Sequence, residues 1–230
     1  MSTTNVQGRW LSVAALAATI VGLDAATTSF DASAAEPKGP SWSVSSNSLL
    51  FVKVFKDSGT IASGMAHDHV VRAARFQGSL DFDAADPANC RLSLMVPVRE
   101  LVVDEAWLRD QVGFKKPVDE GDRKKIRDSM LDANQLDAEH YPTIAVEGQH
   151  CAPAKGTADQ FTIDLSVTIH GRTKRLSATV HASSQGGEMR ARGTFKARHS
   201  DFGIKPYSAF LGAVANAEPI EFVANIVARK

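Results

Sequence analysis

Strict alternation between residues 161 and 170 constrains this chain more than any other feature. Phe161, Ile163, Leu165, Val167 and Ile169 are interleaved with Thr162, Asp164, Ser166, Thr168 and His170. Side chains return to the same face every two residues on a strand and every 3.6 on a helix. The stretch therefore reads as a strand with one apolar and one wet face. The same period recurs along the chain. Leu92, Leu94, Val96 and Val98 alternate with Arg91, Ser93, Met95 and Pro97, and Met189, Ala191, Gly193, Phe195 and Ala197 alternate with Arg190, Arg192, Thr194, Lys196 and Arg198. Residues 76–83 and 175–180 follow the same rule, and weaker strands are expected at 48–56, 143–149 and 220–228. Turn signals such as Asp57-Ser58-Gly59, Asp86-Pro87 and Gly186-Gly187 punctuate them.

Eight amphipathic strands joined mostly by short turns predict an all-β fold, an antiparallel meander that closes as a sandwich or a barrel. An eight-stranded barrel is just wide enough inside to fill with side chains or to hold one small ligand. The inward positions include Gly78, Gly148, Ala178, Ala191, Gly193, Ala197 and Ala224. In a barrel these small residues leave volume; in a sandwich the opposite sheet fills it. Periodicity alone leaves both closures open. Only residues 104–137 break the rhythm. There Asp119 reads as a helix N-cap, and Ile126 and Met130, four apart, share a helical face. This predicts a helical crossover inserted between two strands.

The first residues read as an export leader. Arg9 precedes an apolar run from Trp10 to Leu23, and a small-residue stretch leads to Ala34, after which cleavage is expected. That run falls short of the roughly 20 residues needed to cross a bilayer. The expectation is a signal peptide at 1–34 and one periplasmic or secreted domain at 35–230, with no transmembrane segment. Without the leader the 26 basic and 26 acidic residues lose one and two members, leaving a net charge of +1. No basic stripe interleaved with aromatics is present, so nucleic acid is set aside as a partner. A homodimer is neither indicated nor excluded.

Two cysteines, Cys90 and Cys151, would meet an oxidising compartment after export. Strand phase argues against a bridge. Cys90 shares parity with the inward Leu92 and Leu94, whereas Cys151 has the parity opposite to the inward Ile144 and Val146. Only a bulge, expected at Gly148 if anywhere, would bring Cys151 into phase.

Polar candidates cluster in two places. His67 and His69, in Met65-Ala66-His67-Asp68-His69, are two apart and would project from one strand face. Such a pair supplies only half of a zinc site, which would need His199 or Asp201 as a further ligand. Alternatively the imidazoles are polar groups at a pocket mouth, or structural hydrogen-bonders. Lys205 and Tyr207 sit in a loop before the last strand, where they would grip a polar head group or simply be solvated. No nucleophile elbow and no telling Cys–His spacing is found, so the chain is not expected to be an enzyme.

Four segments carry a resemblance to a known family. They are Phe76-Gln77-Gly78-Ser79-Leu80-Asp81-Phe82-Asp83, Leu136-Asp137-Ala138-Glu139-His140-Tyr141-Pro142-Thr143-Ile144, Leu165-Ser166-Val167-Thr168-Ile169-His170-Gly171-Arg172-Thr173-Lys174 and Phe202-Gly203-Ile204. In this order and spacing the chain resembles the YceI-like proteins, lipocalin-like barrels that bind polyisoprenoid-type lipids. It departs from them in a longer crossover at 106–122 and in the local sequence around His67. The resemblance implies an eight-stranded antiparallel barrel around an apolar channel, a periplasmic binding role, a lipid ligand and no cofactor. Leu94, Val96, Phe161, Ile163, Leu165, Val167, Met189, Phe195 and Phe222 are expected to line the channel. His67, His69, Lys205 and Tyr207 are expected at the head group of an isoprenoid, quinone or other long-chain amphiphile. The rival expectation is a metal-dependent enzyme or metal-binding protein built on His67 and His69.

Overall fold

The computed structural model describes residues 41–230, so the expected leader at 1–34 lies outside the described residues. In chain order the elements are β1 (Ser41–Val44), β2 (Leu49–Lys56), β3 (His69–Ala73), β4 (Gln77–Asp81), β5 (Arg91–Pro97), β6 (Leu101–Val103), α1 (Ala106–Val112), α2 (Glu120–Leu131), β7 (Thr143–Pro153), β8 (Gln160–Ile169), β9 (Arg172–Gln185), β10 (Glu188–Arg198), β11 (Ser208–Ala209) and β12 (Val214–Arg229). No described helix is long and apolar enough to cross a membrane.

Pairing resolves these segments into eight long antiparallel runs. β1 and β2 both lie along β12, and they face the two halves of the next run, β4 and β3 respectively. β5 and β6 likewise form one bent run beside β4 and β3. From β5 the order continues through β7, β8, β9 and β10 to β12, and the β12–β1 pairing closes the barrel. The sequence reading expected the eight runs but not their bends. At the β1–β2 break, the Ser48 hydroxyl donates to the Val227 carbonyl (3.0 Å) and accepts from the Val227 amide (2.8 Å), standing in for the missing ladder. At the β5–β6 break, Pro97 has no N–H to donate, and a short 3-10 turn at Val98–Glu100 follows.

The strand phase places the apolar face inside, as alternation demands. Phe161, Ile163, Leu165, Val167 and Ile169 are all buried. Gly148 holds regular register between Leu92 and Leu165, and a Cβ there would stand 2.7 Å from Ile163 Cδ1. It is a close-packing position and not the bulge.

The bulge comes just past Gly148, after Gln149, and overturns the cysteine expectation. Register between β7 and β8 runs Gln149↔Asp164 and then Ala152↔Thr162, so β7 carries one extra residue. His150, at φ 55°, absorbs the irregularity. Cys151 is thereby turned inward, and it is bonded to Cys90 with the Cα atoms 5.7 Å apart. The parity rule holds on each side of the bulge and fails across it.

The helical insertion was expected at 104–137, and its two helices do different jobs. Leu108 of α1 packs with Phe51 and Val70 on the outer wall of the barrel. α2 begins at the expected cap, where Asp119 accepts from the Asp122 amide at 2.8 Å. Its Met130 and Leu131 pack with Val96, Val98 and Leu101 at the end of the barrel that carries the crossover.

Candidate functional site

Because β8, β9, β10 and β12 all turn their apolar faces inward, the barrel encloses a cavity of about 390 Å³. Small residues make the room, as expected of a barrel: Ala178, Ala191, Gly193 and Ala224 line it. Of the side chains expected along the channel, Leu94, Val96, Ile163, Leu165, Val167, Met189, Phe195 and Phe222 line the cavity. Phe161 does not. It is buried at the far end, edge-on to Phe82 with ring centroids 5.0 Å apart. Alternation told which face Phe161 takes but not how far the hollow extends along it.

The two ends of this hollow differ. The floor, where β4–β5, β7–β8 and β9–β10 turn, holds Phe82, the Cys90–Cys151 bond and the buried Trp42, whose indole N–H donates to the Phe82 carbonyl at 3.4 Å. The mouth is where the β2–β3 loop, the helical crossover and the β10–β12 connection gather. Ile126 and Met130 of α2 reach the cavity there on the helical face they were expected to share, together with Ser129 and Gln135.

Of the four expected head-group residues, the structure brings two to the cavity. His69 and Tyr207 line it. β3 starts only at His69, so His67 precedes the strand and does not reach the hollow; its ring lies 6.2 Å from that of His69. Lys205 is solvent-exposed outside the cavity lining.

Two polar neighbours of the cavity mouth were invisible to sequence periodicity. Asp104, between β6 and α1, has a fully buried carboxylate. One oxygen accepts from His69 Nδ1 at 2.6 Å. The other accepts from Arg109 Nη1 at 2.5 Å and from the Val70 amide at 3.0 Å. Arg109 in turn donates to the carbonyls of Asp68 (2.8 Å) and Lys116 (2.5 Å), tying α1 and its following loop to the start of β3. Burial pushes the Asp104 pKa up, but the hydrogen bonds and charges of His69, Val70 and Arg109 outweigh it, and the group stays ionised below the ordinary carboxylate value. An ionised carboxylate only accepts, so His69 Nδ1 carries the proton of this hydrogen bond. The second neighbour is His199, buried and cavity-lining, whose Nδ1 donates to the Glu218 carbonyl at 3.1 Å. Burial lowers its pKa, so it is neutral at pH 7. His67 is also lowered, by burial first and then by Lys116, His69 and Arg109. Among the described residues no group of three or more His, Cys, Asp or Glu is placed to hold a metal ion, and the rival metal reading gains no third ligand. His199 was considered above only as such a ligand.

Three of the four segments that carry the family resemblance meet at this same end, whereas residues 76–83 run down β4 to Phe82 at the floor. The Tyr141 ring stands edge-on to that of His170, 4.6 Å away, and a Cβ on Gly171 (φ 69°) would reach Tyr141 Cε1 at 2.5 Å. Lys174 Nζ pairs with Asp201 at 2.7 Å, and Phe202 is wholly buried beside Phe222. Their spacing in sequence is thus a set of contacts in space.

A closed antiparallel barrel with an aliphatic interior and a polar mouth is a lipocalin-like binding architecture. The profile of the YceI-like domain matches residues 46–226, and the chain belongs to that family. No functionally curated protein matches the sequence. Among solved structures, BcnA of Burkholderia cenocepacia aligns with a TM-score of 0.60 at 17% identity, over 80% of this chain and 98% of its own. A domain from Saccharophagus degradans, described as polyisoprenoid-binding, aligns with a TM-score of 0.55 at 9% identity, over 82% and 97%. At these identities the likeness establishes the fold.

Proposed function

We propose that this chain is an exported, periplasmic binding protein that holds an isoprenoid, quinone or other long-chain amphiphile in the barrel, with no chemistry or cofactor of its own. The observation that carries this reading is a hollow lined by aliphatic and aromatic side chains from floor to mouth, with its polar groups gathered at the mouth. Burying an alkyl or isoprenoid chain is worth about 0.8 kcal/mol per methylene, so ten carbons supply roughly 8 kcal/mol before the cost of association. We assign the head group to His69, His199 and Tyr207, on the ground that all three line the cavity. The description of the Saccharophagus domain as polyisoprenoid-binding supports the same ligand class.

Organic extraction of protein purified gently from its exporting host, followed by mass spectrometry, tests the reading. Wild type is expected to yield a long-chain amphiphile in near-stoichiometric amount. Val167→Asp, which puts a carboxylate into the middle of the lining, is expected to yield none while keeping a cooperative melt. A wild-type protein that yields no lipid and gains no melting temperature from added lipids would sink the proposal.

A further inference from the structure

Two loop tips at the mouth expose large apolar side chains that neither the barrel nor its cavity uses. Ile61 is 100% exposed and Met65 69%, both on the β2–β3 loop; Phe210 is 77% and Leu211 109% exposed, at the tip of the β11–β12 hairpin. The tips are joined. The Asp57 amide donates to the Ala215 carbonyl at 2.8 Å, and the Ala62 amide donates to the Ala213 carbonyl at 2.9 Å. The four side chains therefore stand on one projection and not on unrelated loops. Such a concentration of exposed apolar surface marks a protein or membrane contact.

From this projection we infer that the mouth of the barrel docks on an anionic lipid bilayer, with Ile61, Phe210 and Leu211 inserted among the lipids. The inference rests on the lipid-holding reading above. Three observations favour a bilayer over a folded partner. First, Ile61 and Leu211 stand free of every neighbour, which suits a fluid that shapes itself around them better than a preformed complementary surface. Second, Phe210 (φ 51°) and Leu211 (φ 56°) take the left-handed conformation that Asn, Asp and Gly adopt most easily in hairpin turns. Apolar residues occupy positions there that backbone comfort would assign to others. Third, the surrounding charge is mainly basic. Lys116 donates to the carbonyls of Gly64 and Met65 at 3.1 Å each, Lys56 donates to Ser63 at 3.3 Å, and Lys115 and Lys205 are exposed. Asp57 and Asp68 are the acidic members of the β2–β3 loop; the Asp57 carboxylate accepts from the Gly59 amide and the Asp68 carboxylate from the Lys56 amide. Basic residues beside an inserted apolar tip are attracted to anionic head groups.

The hairpin is also continuous with the site. Its base residues Tyr207 and Asn216 line the cavity, and the Asn216 amide donates to the Tyr207 carbonyl at 2.9 Å. A docked mouth would let an apolar chain pass between bilayer and barrel with little exposure to water.

The test compares wild type with the triple variant Ile61→Ser, Phe210→Ser, Leu211→Ser in flotation with phosphatidylethanolamine–phosphatidylglycerol vesicles. Wild type is expected to float with them, less so at high salt, and the variant's bound fraction is expected to fall at least tenfold with an unchanged melting temperature. Uptake of polyprenol from detergent micelles, which needs no docking, should be equal in the two. Equal flotation of both proteins, or no flotation of wild type, overturns the docking inference while leaving the lipid-holding reading intact. A wild-type dimer that the variant splits, with no difference in flotation, also overturns it by showing the patch to be an interface between copies. Failure of wild type to take up polyprenol, a long-chain quinone or a long-chain fatty acid from micelles removes the underlying reading instead, and the inference with it.

Discussion

The two ends of the barrel are held by different forces. The floor is closed by a covalent bond and by packed rings, with Cys90, Cys151, Trp42, Phe82 and Phe161 all buried. None of these residues changes charge at working pH. The mouth is held by a buried carboxylate that orders a guanidinium, an imidazole and a backbone amide, and by a neutral buried histidine. The difference teaches where the molecule is conditional. Floor packing survives changes of pH and salt, whereas the mouth depends on protonation states. An amphiphile held between them would keep its chain in the constant region and its head in the variable one.

The largest effect is expected at the mouth. Asp104→Ala strands Arg109 in a buried position and removes the anchor of His69, which should cost about 3–5 kcal/mol, the range for breaking one side of a buried pair. Denaturant unfolding measures it. A loss under ~1 kcal/mol would mean that water reaches this cluster freely and that the contrast between the ends is false. Next comes the floor. Reducing the Cys90–Cys151 bond, which closes a loop of sequence separation 61, should cost roughly 2–4 kcal/mol. Melting with and without reductant gives the number. Intact mass after thiol alkylation, with two free cysteines in non-reduced protein, would remove the bond itself.

The smallest effect sharpens the comparison through pH. His67 and His199 have folded pKa values below the ordinary histidine value, through burial foremost. The unfolded chain therefore binds protons that the folded chain resists, so stability declines as pH falls from about 6.5 toward the folded values. Asp104 is depressed as well, so its ion pairs persist through that window and fail only as pH falls below the ordinary carboxylate range. His199→Gln should flatten the first decline, and the reduced protein should keep the wild-type profile at a lower level. An unchanged profile in His199→Gln would show that the acid response of the fold lies elsewhere.

How much of this was written in the chain differs by region. The inner face of β8 followed directly from residues 161–169, because alternation is a local property of the backbone. The small residues on several strands fitted a hollow barrel and a packed sandwich alike, so periodicity alone left the closure open. The helix cap at Asp119 and the pairing of Ile126 with Met130 were equally legible, being contacts over three or four residues. The resemblance motifs identified the family, although nothing in their spelling shows that Tyr141 meets His170.

The sequence by itself therefore determined the strand phase, the apolar interior and the position of the helical insertion, since each depends on neighbours a few residues away. Only the tertiary structure decided three things. One extra residue at the β7 bulge turned Cys151 toward Cys90. Phe161 fell outside the hollow because Phe82 packs against it. Asp104 became the hub of the mouth because the fold brings His69 and Arg109 to its two oxygens. Each of these depends on partners contributed by other segments of the chain, and no period in the sequence encodes which segments meet.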